Sequence, residues 1–257
     1  MHIDLSNKRA LVCGSSKGIG LAIAQSLAKA NASITLMARN EVAVTTALNS
    51  LNGAHHNAII ADFSDIESVS NHLGNIKSAR YDVLINNTGG PSPGSLHTAD
   101  IHDLAESMSM HLHVNHLLSQ AVLEHMKQNN FGRIINIIST SVRIPIDGLG
   151  VSNTVRGAVA SWAKTLSNEV GKYGITVNSL LPGFIETDRL SSIIYQKAHE
   201  RKVGADEIAE EMKSTIPVRR FGKAQEMGAL ATFLCSDQAA YINGTTIPVD
   251  GGKTGTI

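Results

Sequence analysis

The sequence predicts a doubly wound α/β domain, a seven-stranded parallel sheet flanked by helices, and three observations carry that prediction. Short apolar runs recur along the 257 residues. Amphipathic stretches of about 12 to 28 residues lie between most of them. Those intervals are long enough for the right-handed crossovers that join parallel strands.

In order, the strand candidates are Arg9 to Cys13, Ser33 to Ala38, Asn57 to Ala61, Asp82 to Ile85, Arg133 to Ile138, Thr176 to Leu180 and Thr246 to Val249. Helical patterns open near Gly18, Glu41, Asp65, Ile101, Ser152 and Ala224. The two longest run from Ile101 to Asn129 and from Ser152 to Tyr173. Ser152 is a favoured residue type for a helix N-cap, so a capping role is one expectation for it. No repeat, low-complexity segment or linker divides the chain, which predicts one domain over residues 1–257. Sheets of this class bind ligands at the carboxyl ends of their strands, where the strand order reverses, so function is expected on the loops that follow the apolar runs.

Composition narrows the function classes. Twenty-two Lys plus Arg balance 22 Asp plus Glu, and no block of like charges forms the concentrated positive field that nucleic acids or acidic membranes require. Neither partner is expected. The opening segment MHIDLSNKRALVCG has no export pattern and no apolar run reaches membrane-spanning length, which predicts a cytoplasmic protein. Cys13 and Cys235 are the only cysteines, too few and too far apart in sequence to indicate a disulfide framework or a thiolate metal site. His97, His102, His111, His113, His116 and His125 crowd one region, but only His113 and His116 have i, i+3 spacing and no carboxylates complete a shell. A polar helix face or subunit contact is expected there, and no metal.

The loop after the first run reads Gly14-Ser15-Ser16-Lys17-Gly18-Ile19-Gly20. Between a strand and a helix, such glycines let backbone approach a pyrophosphate at a helix N-terminus. After the second run the chain carries Ala38-Arg39-Asn40, with no carboxylate until Glu41. An acid at that point would accept from a ribose 2′-hydroxyl. Arg39, with Lys17 as a second cation, suits a 2′-phosphate instead, so the cofactor expected is NADP(H) rather than NAD(H).

With these motifs in hand, the chain resembles the short-chain dehydrogenases/reductases over its whole length, and within them the 3-oxoacyl-ACP reductases. The resemblance rests on Gly14 to Gly20, Asp62 after the third run, Asn86-Asn87-Thr88-Gly89 after the fourth, Asn178, Pro182-Gly183 and Thr187 near the sixth, Arg220-Phe221-Gly222, and the ending Gly244 to Gly252. It implies a Rossmann-like domain. The cofactor contacts it implies are Gly14, Ser16, Lys17, Gly18, Ile19, Gly20, Arg39, Asp62, Phe63, Asn87, Thr88, Gly89, Arg156, Pro182, Gly183, Ile185 and Thr187. A substrate loop over about residues 188–215 and a homotetramer built on the two long helices are implied as well.

The family's reaction uses a tetrad of Asn, Ser, Tyr and Lys, and here the resemblance breaks. Ser139 matches the serine that holds a substrate carbonyl. Ser152 stands at the tyrosine position and Arg156 at the lysine position, and no tyrosine lies between Tyr81 and Tyr173. Counting back from Gly132 puts His111 at the Asn position, with Asn115 one helical turn later.

A serine hydroxyl is far less acidic than the phenol it replaces, so Ser152 suits orienting or relaying through water. A guanidinium keeps the lysine's field without its proton exchange. His111 is then the candidate proton donor, since its unperturbed pKa lies near neutrality. Three readings remain open at this point: an NADP(H)-dependent reductase or dehydrogenase of a carbonyl or alcohol, small-molecule or acyl-thioester, with an atypical proton donor; a cofactor-binding subunit without turnover; and a reductase of a conjugated, enoyl-type substrate.

Overall fold

The computed structural model describes residues 3–255. All seven strands join one parallel sheet in the order β3-β2-β1-β4-β5-β6-β7. They are β1 (Arg9–Cys13), β2 (Ser33–Ala38), β3 (Asn57–Ile60), β4 (Val83–Asn86), β5 (Gly132–Ile137), β6 (Ile175–Pro182) and β7 (Thr246–Val249). The chain therefore forms a single Rossmann-like domain, as its sequence predicts. The winding reverses between β1 and β4, whose register pairs Ala10 with Val83 and Val12 with Ile85. Two loops meet there, the glycine loop and residues 87–89, and so the sheet's own topology opens a crevice at that point.

Alternating side chains send the central strands into two cores. Val12, Leu36, Ile85 and Ile135 pack with Ile23 and Leu27 of α1 (Gly18–Lys29), Val44 and Ala47 of α2 (Glu41–Asn49), and Met227, Ala231 and Leu234 of α10 (Ala224–Leu234). Their neighbours Leu11, Met37, Leu84 and Ile134 face the opposite layer. There they meet Val69 of α3 (Ile66–Ser70), Ile76 of α4 (Leu73–Ala79), Val114, Leu118, Val122 and Met126 of α6 (Val114–Gln128), and Ala163 and Val170 of α7 (Gly150–Val170).

Four departures from the sequence expectations follow from local physics. The pattern near Asp65 is two short helices, because the chain breaks at Asn71 and His72 before α4 begins. The stretch from Ile101 is α5 (Ile101–Met108) and α6, joined by a π-helical turn over Ser109–His113. Ser152 is not an N-cap: α7 begins at Gly150 after Leu149, which has no side-chain cap. The start is instead pinned by Gly94 N–H donating to Gly148 O at 2.7 Å and Gly150 N–H donating to Gly94 O at 2.9 Å, which pushes Ser152 into the buried first turn. Lastly, the charged segment after Thr187 is a helical pair, α8 (Asp188–Arg201) and α9 (Ala205–Ser214). It has its own small core of Leu190, Ala198, Ile208, Met212, Ile216 and Phe221. Among the described residues no helix is long and apolar enough to cross a membrane.

Candidate active site

The glycine loop is held rigidly from beneath. Gly14 N–H donates to Met37 O at 2.8 Å, Met37 N–H donates to Ser15 Oγ at 3.0 Å, and Asn87 Nδ2 donates to Gly14 O at 3.0 Å. Gly14 has φ +55°, and a Cβ there would strike the Asn87 carbonyl oxygen, while one at Gly20 would strike Gly14 O. Asn87 thus holds the phosphate-binding type of loop as well as bordering the site. At the loop's end α1 starts at Gly18 with no side-chain cap and no acid in its first turn, leaving its N-terminal N–H groups and partial positive charge available to an anion. This arrangement fits a pyrophosphate.

Toward the adenosine side, Arg39 approaches Asp62 at 3.6 Å. Bonds from the Ser64 backbone and hydroxyl, with Arg39 beside it, hold the Asp62 carboxyl below its usual range. Phe63 packs into the core under it. Lys17 is paired with Asp188 of α8 at 2.8 Å, an arrangement the spacing could not foretell. Both side chains are about three-quarters exposed, so solvent screens this tie and a bound phosphate can displace it.

Ser139, Ser152 and Arg156 come together in one cavity of about 280 Å³, although they lie on β5's outgoing loop and on α7. Ile19, Asn87, Thr88, Gly89, Pro182, Gly183, Ile185 and Thr187 also line it. Ser139 has extended backbone, and its hydroxyl accepts from Ser141 N–H at 3.1 Å, which fixes the side chain at the mouth of β5. Ser152 is 8% exposed. Arg156 is equally buried and donates to Ile137 O at 3.0 Å. Burial, reinforced by nearby Arg189, brings its pKa down to about 10, so it remains a cation at neutral pH.

His111 behaves differently from the expectation for it. It lies in the π-helical turn, 1% exposed, outside the cavity lining, and its Nδ1 shares a short hydrogen bond with the Thr88 hydroxyl. Its Nε2 is buried without a partner among the described residues. Burial, with Arg156 and Arg189 adding repulsion, pushes its pKa down to about 2. The imidazole is therefore neutral at physiological pH and cannot serve there as a protonated acid. Asn115, one turn on, is buried in α6 and does not line the cavity either.

The lining residues that sequence reasoning missed include Arg189 and Phe184 on or before α8, and Lys253 near the chain end. Arg189 donates to Gly90 O at 3.1 Å and to Pro91 O at 3.3 Å, joining α8 to the loop after β4. The only hint in the sequence is the charge of the segment that begins at Asp188. Asn178, by contrast, is internal scaffolding, donating to Ile242 O at 2.8 Å and accepting from Thr245 N–H. His116 accepts from Trp162 Nε1 at 3.3 Å, and no group of three or more His, Cys, Asp or Glu placed to hold a metal occurs among the described residues.

A parallel sheet with its crevice at the β1/β4 reversal, a glycine loop and an adjoining serine-lined cavity together define a dinucleotide-binding α/β protein. A family model described as Enoyl-(Acyl carrier protein) reductase matches residues 14–254. The NADPH-dependent reductase BacG of Bacillus subtilis is 32% identical over 98% of this chain and 100% of its own. The 3-oxoacyl-[acyl-carrier-protein] reductase FabG of Haemophilus influenzae is 33% identical over 96% of this chain and 98% of its own. The L-sorbose reductase of Gluconobacter frateurii, solved with NADPH and L-sorbose, superposes with a TM-score of 0.94 at 28% identity over the full length of both chains. The chain belongs to the short-chain dehydrogenase/reductase family. Its relative BacG is NADPH-dependent, and the L-sorbose reductase is solved with NADPH bound.

Proposed function

We propose that this protein is an NADP(H)-dependent oxidoreductase acting on a carbonyl or alcohol substrate, with no side-chain acid at the reacting oxygen. The observation that carries the reading is the single cavity shared by the Asn87–Gly89 loop, Pro182 to Thr187, Ser139, Ser152 and Arg156. The glycine loop with the α1 N-terminus would hold the pyrophosphate. Arg39 and Lys17 would meet the 2′-phosphate, and Arg156 the ribose near the reacting end. When bound, the reduced cofactor supplies a hydride.

The chain's own groups then have defined work. Ser139 orients the substrate oxygen, Ser152 passes a proton from water, and the Arg156 guanidinium stabilises negative charge that develops on that oxygen. His111 takes no part in proton donation, and its bond to Thr88 props the loop after β4.

A second reading is favoured by one observation: among the described residues no His, Tyr, Asp or Glu lines the cavity. For a conjugated carbonyl, hydride adds at a remote carbon, the charge gathers on the oxygen beside Arg156, and solvent protonates carbon. The matched family model's description names an enoyl reductase activity, which agrees with this alternative. The two are separated by following NADPH absorbance with saturated ketones and with matched α,β-unsaturated ketones or thioesters. Oxidation with either class supports an oxidoreductase and chooses between the readings. Tight NADPH binding with no oxidation by any of them would favour a cofactor-binding subunit without turnover.

A further inference from the structure

The cavity's charges are all of one sign. Among the described residues Arg156, Arg189 and Lys253 line it, and no carboxylate does. Several cations elsewhere are matched by carboxylates: Arg220 meets Glu226 at 2.6 Å, Arg201 meets Glu211, and Lys213 meets Glu210. Among the described residues Arg156 and Arg189 have no carboxylate partner, and Arg156 is only 8% exposed. A guanidinium withdrawn from water beside a second guanidinium carries a desolvation cost that a carboxylate partner normally offsets. The cofactor's anionic groups have other partners on the page, the α1 N-terminus with the glycine loop, and Lys17 with Arg39. The nicotinamide and its ribose bring no negative charge to the Ser139 end.

Resting on the NADP(H)-oxidoreductase reading, we infer that the substrate is a small carboxylic acid whose carboxylate is held between Arg189 and Arg156 while its carbonyl meets Ser139 and Ser152. Arg189 is pre-oriented for this, since Gly90 O and Pro91 O take two of its five donors and the rest stay available for an in-plane carboxylate. Ile138, Ile146, Leu149, Phe184, Leu190 and Ile193 supply apolar wall for the substrate's carbon body. Lys253, tied to Thr215 Oγ1 at 2.8 Å, adds positive potential at the rim. A free 2-oxo or conjugated acid fits these features better than a thioester, which has exchanged its carboxylate charge for a neutral acyl sulfur. The reaction that supplies the substrate must then leave a carboxylate near the reducible group.

The test titrates the NADP+-saturated protein, by calorimetry, with benzoylformate and 2-oxobutyrate and in parallel with their methyl esters. The acids bind at least about tenfold more tightly than the esters, the scale expected of a charge-assisted, two-point guanidinium–carboxylate pair. Arg189→Gln removes that advantage without changing the NADP+ dissociation constant, and Arg189→Lys restores part of it. Esters binding as tightly as the acids, neither class binding, or an unchanged acid preference in Arg189→Gln would each overturn the inference. Failure of NADP+ itself to bind would instead sink the underlying functional reading.

Discussion

His111 illustrates how environment overrides a residue's solution chemistry. In the unfolded chain it titrates near pH 6.5, whereas in the fold burial and two neighbouring guanidinium groups push its pKa down to about 2. The unfolded state binds the extra proton in that interval, so the stability His111 contributes is present above about pH 6.5 and is lost as pH falls. Urea midpoints at pH 7.5 and pH 5 should therefore differ more in the wild type than in His111→Gln. Reduction rates should show no inflection from a histidine acid between pH 6 and 8 in either protein; a histidine-like fall in the wild type that vanishes in His111→Gln would reinstate the imidazole as donor. Arg39 presents a second residue-scale test. Arg39→Asp should invert or erase a preference for NADPH over NADH, read by fluorescence titration of both, because a carboxylate repels a 2′-phosphate and accepts from a 2′-hydroxyl.

Among the elements, the glycine loop and α7 show what spacing can and cannot convey. Gly20 was readable because the need for a missing Cβ is local, against Gly14 O across the turn; at Gly14 the positive φ is local, but the carbonyl oxygen that a Cβ would strike belongs to Asn87. Gly20→Ala should lower stability by about 1–3 kcal/mol, as overpacking against fixed backbone does, and should weaken NADPH binding more than tenfold. Thermal unfolding with and without NADPH separates the two effects. Capping, one of the two expectations for Ser152, fails because its neighbours give no local sign that Gly94, more than fifty residues earlier, anchors the start of α7 through Gly148 and Gly150. The helices α8 and α9 were likewise opaque, since their six-residue core forms only between them and the Phe221 segment. The start of α8 carries Asp188, whose partner Lys17 lies far back along the chain.

Across the whole molecule the sheet was the most legible feature. A strand buried on both faces is a continuous apolar run, and three of the seven strands match the sequence at both ends while the other four differ by only one or two residues at an end, where pairing rather than hydrophobicity decides. Strand order and cavity assembly were not written in the runs. Ser139, Ser152 and Arg156 could be assigned to one site only through the family likeness, and Arg189 and Lys253 not even so. Assembly is a further prediction at this scale. The faces of α5, α6 and α7 carry Ile101 at 77% exposure with partly buried Leu123, Trp162 and Leu166, and a homotetramer is proposed on them. Light scattering at micromolar protein should give four times the 27.3 kDa chain mass, and a monomer would refute it.

The account's central claim is that this crevice receives NADPH and presents it to a cavity of hydroxyls and unpaired guanidinium groups. Parallel titration of the unmodified protein with NADPH and NADH, followed by the fluorescence of the reduced nicotinamide, tests it most directly. The account predicts saturable one-site binding with NADPH at least about tenfold tighter, the scale of one added charge-assisted contact set to a phosphate. Equal affinities, or no binding of either, would contradict it.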